Sequence, residues 1–162
     1  RPHAHAGERT IERGQTIVVD AGCSLDGYCS DCTRTFATAP LPRELEEAYS
    51  VCLQAQRQSL QEVRAGASGR DVDAIARELI EAGPYAGTFG HGLGHGVGLE
   101  VHEAPRLSKR SEDDLETGNV VTVEPGVYLP GSFGVRIEDL VVVTDDEPQI
   151  LTSVPKDLRV VD

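Results

Sequence analysis

The chain has 162 residues, 39% hydrophobic and 26% charged, a balance that suits one packed domain and argues against disorder. Its formal net charge of -12 leaves no basic face for a phosphate backbone, which argues against a nucleic-acid partner. No apolar run approaches the roughly 20 residues of a membrane span and no secretion signal opens the sequence, so Cys23, Cys29, Cys32 and Cys52 are expected to be free thiols of a cytoplasmic protein.

Residues 14–37 are predicted to form a hairpin. GQTIVVDAG is apolar and β-branched, Ser24-Leu25-Asp26-Gly27 turns, and YCSDCTRTF returns. Cys29 and Cys32 make a C-x-x-C, but residues three apart on one strand point to opposite faces, so neither a bridge nor a shared ion is expected. Residues 42–65 read as a long helix with Leu45, Tyr49, Cys52, Leu53, Leu60 and Val63 as its apolar stripe, ended by Gly66. A second helix over 69–82 has Ser68 at its cap and Val72, Ile75, Ala76, Leu79 and Ile80 as its buried face; Gly83-Pro84 stops it. Residues 86–98 hold six glycines in a spacing that is not a dinucleotide fingerprint, which suggests backbone close to a bound group. Residues 119–145 read as a second hairpin: NVVTVEPGVY goes out, LPGSFG turns, VRIEDLVVVT returns.

The two hairpins share a pattern. Each has an apolar strand ending in an acid and then a small residue or Pro with Gly, VVD-AG and TVE-PG, and each returning strand carries a second acid. This reads as an internal duplication in which two helices precede the second hairpin. Two matching helices before the first are absent, and the chain starts at Arg1 without any Met, so it reads as a fragment. One face of the first sheet is then expected to lack cover, with the chain either part of a longer one or paired with another copy as a homodimer. The pocket is expected to be open, with His3 the least well placed of the site residues.

Asp20 and Asp31 lie on opposite arms of the first hairpin, in a register that sets them face to face; a slip of two residues leaves them diagonal on the same face. Facing carboxylates repel by roughly 0.2–1 kcal/mol, so something positive belongs between them. Val18, Val19 and Ala21 flank Asp20 and predict its burial. Glu124 and Glu138 repeat the arrangement. Arg136 stands two residues before Glu138, yet one arginine cannot neutralise four acids, whereas two divalent cations can. His95 adds a nitrogen. Four carboxylates and an imidazole suit Mn, Co, Fe or Zn, held about 3.5–4 Å apart as in two-metal hydrolases. Three of the five histidines, His91, His95 and His102, fall within twelve residues of a glycine-rich segment, a clustering that points to a site.

The strings V-V-D-A-G, S-D-x-T-R-T-F, H-G-L-G-H-G-V-G-L-E-V-H-E, T-V-E-P-G-V-Y and V-R-I-E-D resemble the pita-bread metallopeptidases, most of all the Xaa-Pro aminopeptidases and prolidases. The resemblance covers essentially the whole chain. It implies an α+β pita-bread fold, a curved antiparallel sheet with helices on its outer face, as one truncated catalytic domain over 1–162. It implies two divalent ions, Mn first and Co, Zn or Fe as alternatives. Asp20 would bind one ion, Asp31 and Glu138 bridge, and His95 and Glu124 bind the other. A water shared by the ions would attack an Xaa-Pro bond of a peptide with proline at its second position. Glu124 would shuttle its proton, His102 steady the tetrahedral intermediate, His3 lie near the scissile nitrogen, His91 and Tyr128 line the substrate, and Arg136 orient the bridging carboxylates from behind. Methionine aminopeptidases share the five ligands, and a metal-free binding module or a creatine-hydrolysing relative are further readings on the same fold. The intact ligand set speaks against the last two.

Overall fold

Both expected hairpins form, and each is interrupted at or just beyond its acids. In the computed structural model, which describes residues 2, 3 and 6–161, the first consists of β1 (Thr16–Ala21), β2 (Ser24–Leu25), β3 (Tyr28–Cys29) and β4 (Cys32–Thr38). Its tip turns at Asp26-Gly27, whose φ angles of 51° and 89° match the turn that follows natural strand twist. β1 pairs antiparallel with β4, Asp20 opposite Thr33, and β2 with β3 in the same register, Ser24 opposite Cys29. That register is two residues from the face-to-face one, so Asp20 and Asp31 are diagonal and still share a face. YCSDCTRTF is not one strand but breaks at Ser30-Asp31, and Cys29 and Cys32 sit on different strands as free thiols.

The flanking valines predict a buried Asp20, and the structure differs. Its side chain is 45% exposed. β1 is an edge strand in the order β1-β4-β12, and Val19 is itself 44% exposed, so apolar neighbours in sequence do not enclose the acid.

The helices follow the apolar stripes. α1 (Arg43–Glu62) buries Leu45, Tyr49, Cys52 and Leu60, with Leu53 packed at the margin. α2 (Gly69–Glu81) buries Val72, Ala76 and Ile80 but also Asp73, while Ile75 and Leu79 are only half-buried. Ser68 occupies the cap position without a side-chain capping bond; the Gly69 amide instead donates to the Asp113 carbonyl.

Beyond α2 run β5 (Gly94–Gly96), β6 (Glu103–Leu107), β7 (Val120–Val123), β8 (Gly126–Tyr128), β9 (Gly134–Arg136), β10 (Asp139–Val142), β11 (Gln149–Ile150) and β12 (Arg159–Val161). One sheet has the order β11-β10-β7-β5-β6, and β8 pairs with β9. β12 joins the first hairpin parallel to β4. The second hairpin is thus β7-β8 against β9-β10. Val123 lies opposite Asp139 and Gly126 opposite Arg136, one register in which Glu124 stands across from Glu138. Val121, Val123, Val127, Val135, Ile137 and Val141 pack with α1 and α2 into a single core, each apolar side chain contributing roughly 1.5–3 kcal/mol by burial.

The glycine-rich run serves a different end from the expected one. A Cβ at Gly94 would lie 1.9 Å from the Thr122 carbonyl oxygen, and one at Gly96 2.1 Å from that of Ala104. The glycines beside His95 let β5 slot between β6 and β7, so the close approach is to neighbouring backbone.

Candidate active site

The four breaks and β5 face one cavity of about 430 Å³, lined by Asp20, Asp31, His95, Glu124 and Glu138, with His3 and His102 also on its wall. Asp31, Glu124 and Glu138 stand in breaks between strands, outside the ladder, while Asp20 stays paired in β1 and lines the same space. Donor atoms of Asp20, Asp31 and Glu138 lie within 4.8 Å of one another, as do those of Asp31, His95 and His102. Asp31 belongs to both groups.

Glu138 is 1% exposed, and one of its carboxylate oxygens has no hydrogen-bond partner among the described residues. A buried, unpartnered carboxylate oxygen is costly. Burial, then the charges of Glu124 and Asp31, push its pKa up to about 9. Burial, then Asp20 and Glu124, push Asp31 up to about 6.

His95 Nδ1 lies 3.1 Å from the Gly96 carbonyl and donates to it, which turns Nε2 into the cavity, 3.1 Å from Glu124 Oε1 and 3.9 Å from Asp31. Burial depresses the imidazole, but the bond to Glu124, the Gly96 carbonyl and the charges of Glu124 and Asp31 together outweigh it and raise the pKa. At Glu124 burial is overcome by that bond together with the charges of His95, His91 and Arg136, which hold the carboxyl below its ordinary value. Thr122 supports both: its hydroxyl accepts from the His95 amide at 3.1 Å and donates to Glu124 Oε1 at 3.0 Å. His102 is exposed, its ring 4.2 Å from that of His95 and tilted; desolvation and then His95 lower its pKa.

A second chain of hydrogen bonds runs along the other wall. His91 Nδ1 donates to the Gly92 carbonyl at 2.8 Å, so its Nε2 accepts from the Tyr128 hydroxyl at 2.9 Å. Tyr128, pushed up to about 12 by burial, accepts in turn from Arg136 Nη1 at 2.9 Å. Burial lowers the His91 pKa and keeps the ring neutral. Arg136 continues to Asp20 at 2.5 Å and to Thr33 at 3.1 Å, and lies 3.8 Å from Glu124. It therefore reaches Asp20 and Glu124, where the resemblance implies the bridging acids. His3, exposed, lies at the cavity wall beside the tie from Arg136 to the Pro2 carbonyl.

Sequence reasoning missed Thr33 and Thr122. Alternation offered a signal for Thr122, which stands two residues before Glu124 and hence on its face.

The donor chemistry fits divalent cations: oxygen-rich, one imidazole with its tautomer fixed by a backbone carbonyl, and a buried carboxylate oxygen still lacking a partner. Residues 1–145 match Metallopeptidase family M24. The chain belongs to this family. An Xaa-Pro dipeptidase of Pyrococcus furiosus is 41% identical to this M24 chain over 157 residues, covering 97% of it and 45% of the relative. An X-Pro aminopeptidase of Thermotoga maritima superposes with a TM-score of 0.95 at 44% identity, over 99% of this chain and 45% of that one. An Xaa-Pro dipeptidase of Bacillus anthracis gives 0.96 at 46% identity, over 99% and 45%. These likenesses establish the pita-bread α+β fold, and the M24 chain spans under half the length of these relatives.

Proposed function

We propose that this region carries the catalytic centre of a metal-dependent peptidase acting on Xaa-Pro bonds. The observation that carries the reading is Asp31 shared between two donor groups, next to the unpartnered oxygen of Glu138. Asp20, Asp31 and Glu138 would hold one divalent ion, and Asp31 and Glu138 would share it with a second held by His95 and Glu124. Manganese is the first candidate, with Co, Zn and Fe next, because the donors are mainly hard oxygens. Bound there, such ions supply Lewis acidity and a more acidic water.

The chain's own residues supply the proton path and the orientation. Glu124, kept ionised by His95, is placed to accept a proton and return it to the leaving nitrogen. His102 faces the same space beside His95 and can donate to a developing oxyanion. His91, neutral and oriented by Tyr128 and Arg136, offers a fixed edge to the substrate. His3 at the wall can serve the proline nitrogen, which leaves as a secondary amine.

The names of the relatives divide between aminopeptidase and dipeptidase, and the assay must separate them. Reconstituted with Mn²⁺, the protein should cleave Gly-Pro or Ala-Pro-Ala and leave Met-Ala-Ser intact. Cleavage of Met-Ala-Ser alone would move the reading to a methionine-type aminopeptidase. The four free thiols support a cytoplasmic setting. No described helix is long and apolar enough to cross a membrane.

A further inference from the structure

Behind the cavity, on the far side of the strand from Glu138, lies a buried polar cluster with no part in the chemistry above. Asp139 is fully buried. Arg34 Nη2 donates to one of its oxygens at 2.8 Å; Lys156 Nζ at 2.6 Å and Gln56 Nε2 at 2.9 Å donate to the other. These groups come from β4, the C-terminal segment and α1. A buried carboxylate with three donors is fully satisfied, unlike its neighbour in sequence.

Arg34 also acts on main chain. Its Nη1 donates to the carbonyls of Thr33 and Glu138, and its Nη2 and Nε reach those of Val154 and Pro155. Glu138 stands in the gap between β9 and β10, outside the strand ladder. Its amide donates to the Thr33 carbonyl at 3.1 Å, and its carbonyl is taken by Arg34. The main-chain geometry that aims the Glu138 carboxylate is therefore set by the guanidinium. The guanidinium is itself held by Asp139 and by residues 154–156, whose Lys156 carbonyl accepts from the Tyr49 hydroxyl at 2.9 Å. Those last residues lie beyond residues 1–145, the span that the family model covers.

We propose that Arg34, Asp139 and Lys156 form a buried clamp that positions Glu138 for metal binding, with residues 154–156 as a working part of the site. This rests on the metal reading above. The test compares wild type, R34K, D139N, K156M and K156R by Mn²⁺ calorimetry, by the visible spectrum of the Co²⁺ form, and by metal-free thermal melting. Wild type should bind two ions. R34K and D139N should bind about tenfold or more weakly, with an altered Co²⁺ spectrum, and K156M should shift in the same direction while K156R restores wild-type values. If variants only melt earlier, with Mn²⁺ affinity and Co²⁺ spectrum unchanged, the cluster is structural alone and the proposal fails while the metal reading stands. If wild type binds no Mn²⁺ or Co²⁺, the metal reading fails and the clamp falls with it. Should R34K or D139N not fold, K156M decides, since the Lys156 side chain is 20% exposed and its loss disturbs packing least.

Discussion

Asp20 on the first hairpin is 45% exposed and ion-paired with Arg136, whereas Glu138 on the second is 1% exposed and leaves an oxygen without a partner. The two hairpins repeat one design, with register kept across a break at the acids, and they set those acids in opposite surroundings. β1 lies at a sheet edge; β7 and β10 lie inside a five-stranded sheet under α1 and α2. Within one site, the buried hairpin holds Glu138, a carboxylate that resists ionising alone, and the open hairpin supplies Asp20, one that solvent and an arginine already satisfy. The buried side should therefore dominate metal dependence and pH dependence.

The largest effect is expected at Glu124. Glu124→Gln keeps an oxygen and the shape but loses the proton acceptor, so turnover of an Xaa-Pro substrate should fall by about 10²–10⁴-fold with bound Mn²⁺ retained. Near-normal turnover with intact metal would remove Glu124 as the base.

Next comes the acid that burial affects most. Glu138 titrates at about 9 against an ordinary 4.5, and Asp31 at about 6 against 3.8. Raised folded pKa values mean that the folded state binds protons more tightly. The stability they confer is full below the ordinary values and is lost as pH rises through 6 and then 9. Metal-free protein should accordingly weaken steadily from about pH 4.5 to 9 in stepped denaturant titrations, and Mn²⁺, which favours the ionised carboxylates, should flatten or reverse that slope. Glu138→Gln should abolish the upper half of the slope and cost metal affinity; Asp20→Asn should leave that upper half in place and trim only the lower part, because Asp20 helps to raise Asp31. An identical slope in both variants would erase the distinction between the hairpins.

A smaller effect tests the break in the first hairpin. A Cβ at Gly22 would lie 2.1 Å from the Ser30 carbonyl oxygen, a backbone atom that cannot swing aside. Gly22→Ala should cost about 1–3 kcal/mol by urea unfolding and loosen metal binding through Asp31. The counterpart on the second hairpin, Gly126→Ala, meets the tip of Tyr128 at 2.5 Å, a side chain that can rotate, so it should disturb His91 more than stability. Equal destabilisation by the two would show that the breaks are equally rigid.

The smallest stability change is expected for Asp20→Asn. Its ion pair with Arg136 is partly exposed, so thermal unfolding of the metal-free protein should shift by less than about 1 kcal/mol. A larger loss would place Asp20 with the buried acids after all.

The sequence by itself determined the parts that depend on local pattern. β-branched runs ending in an acid and a small residue marked both hairpins, the apolar stripes marked α1 and α2 to within a few residues at each end, and His95 between glycines stood out beside four paired acids. Side-chain alternation also carried Asp20 and Asp31 to one face even with the register slipped by two, because a slip of two preserves facing. Tertiary structure decided what sequence neighbours cannot. It exposed Asp20 although valines flank it, because burial depends on which strand is at the edge. It turned the glycines beside His95 against Thr122 and Ala104 rather than toward a ligand. It brought Arg34, Gln56 and Lys156, far apart in the chain, onto Asp139, since a buried charge is satisfied by whatever donors the packing of distant elements delivers.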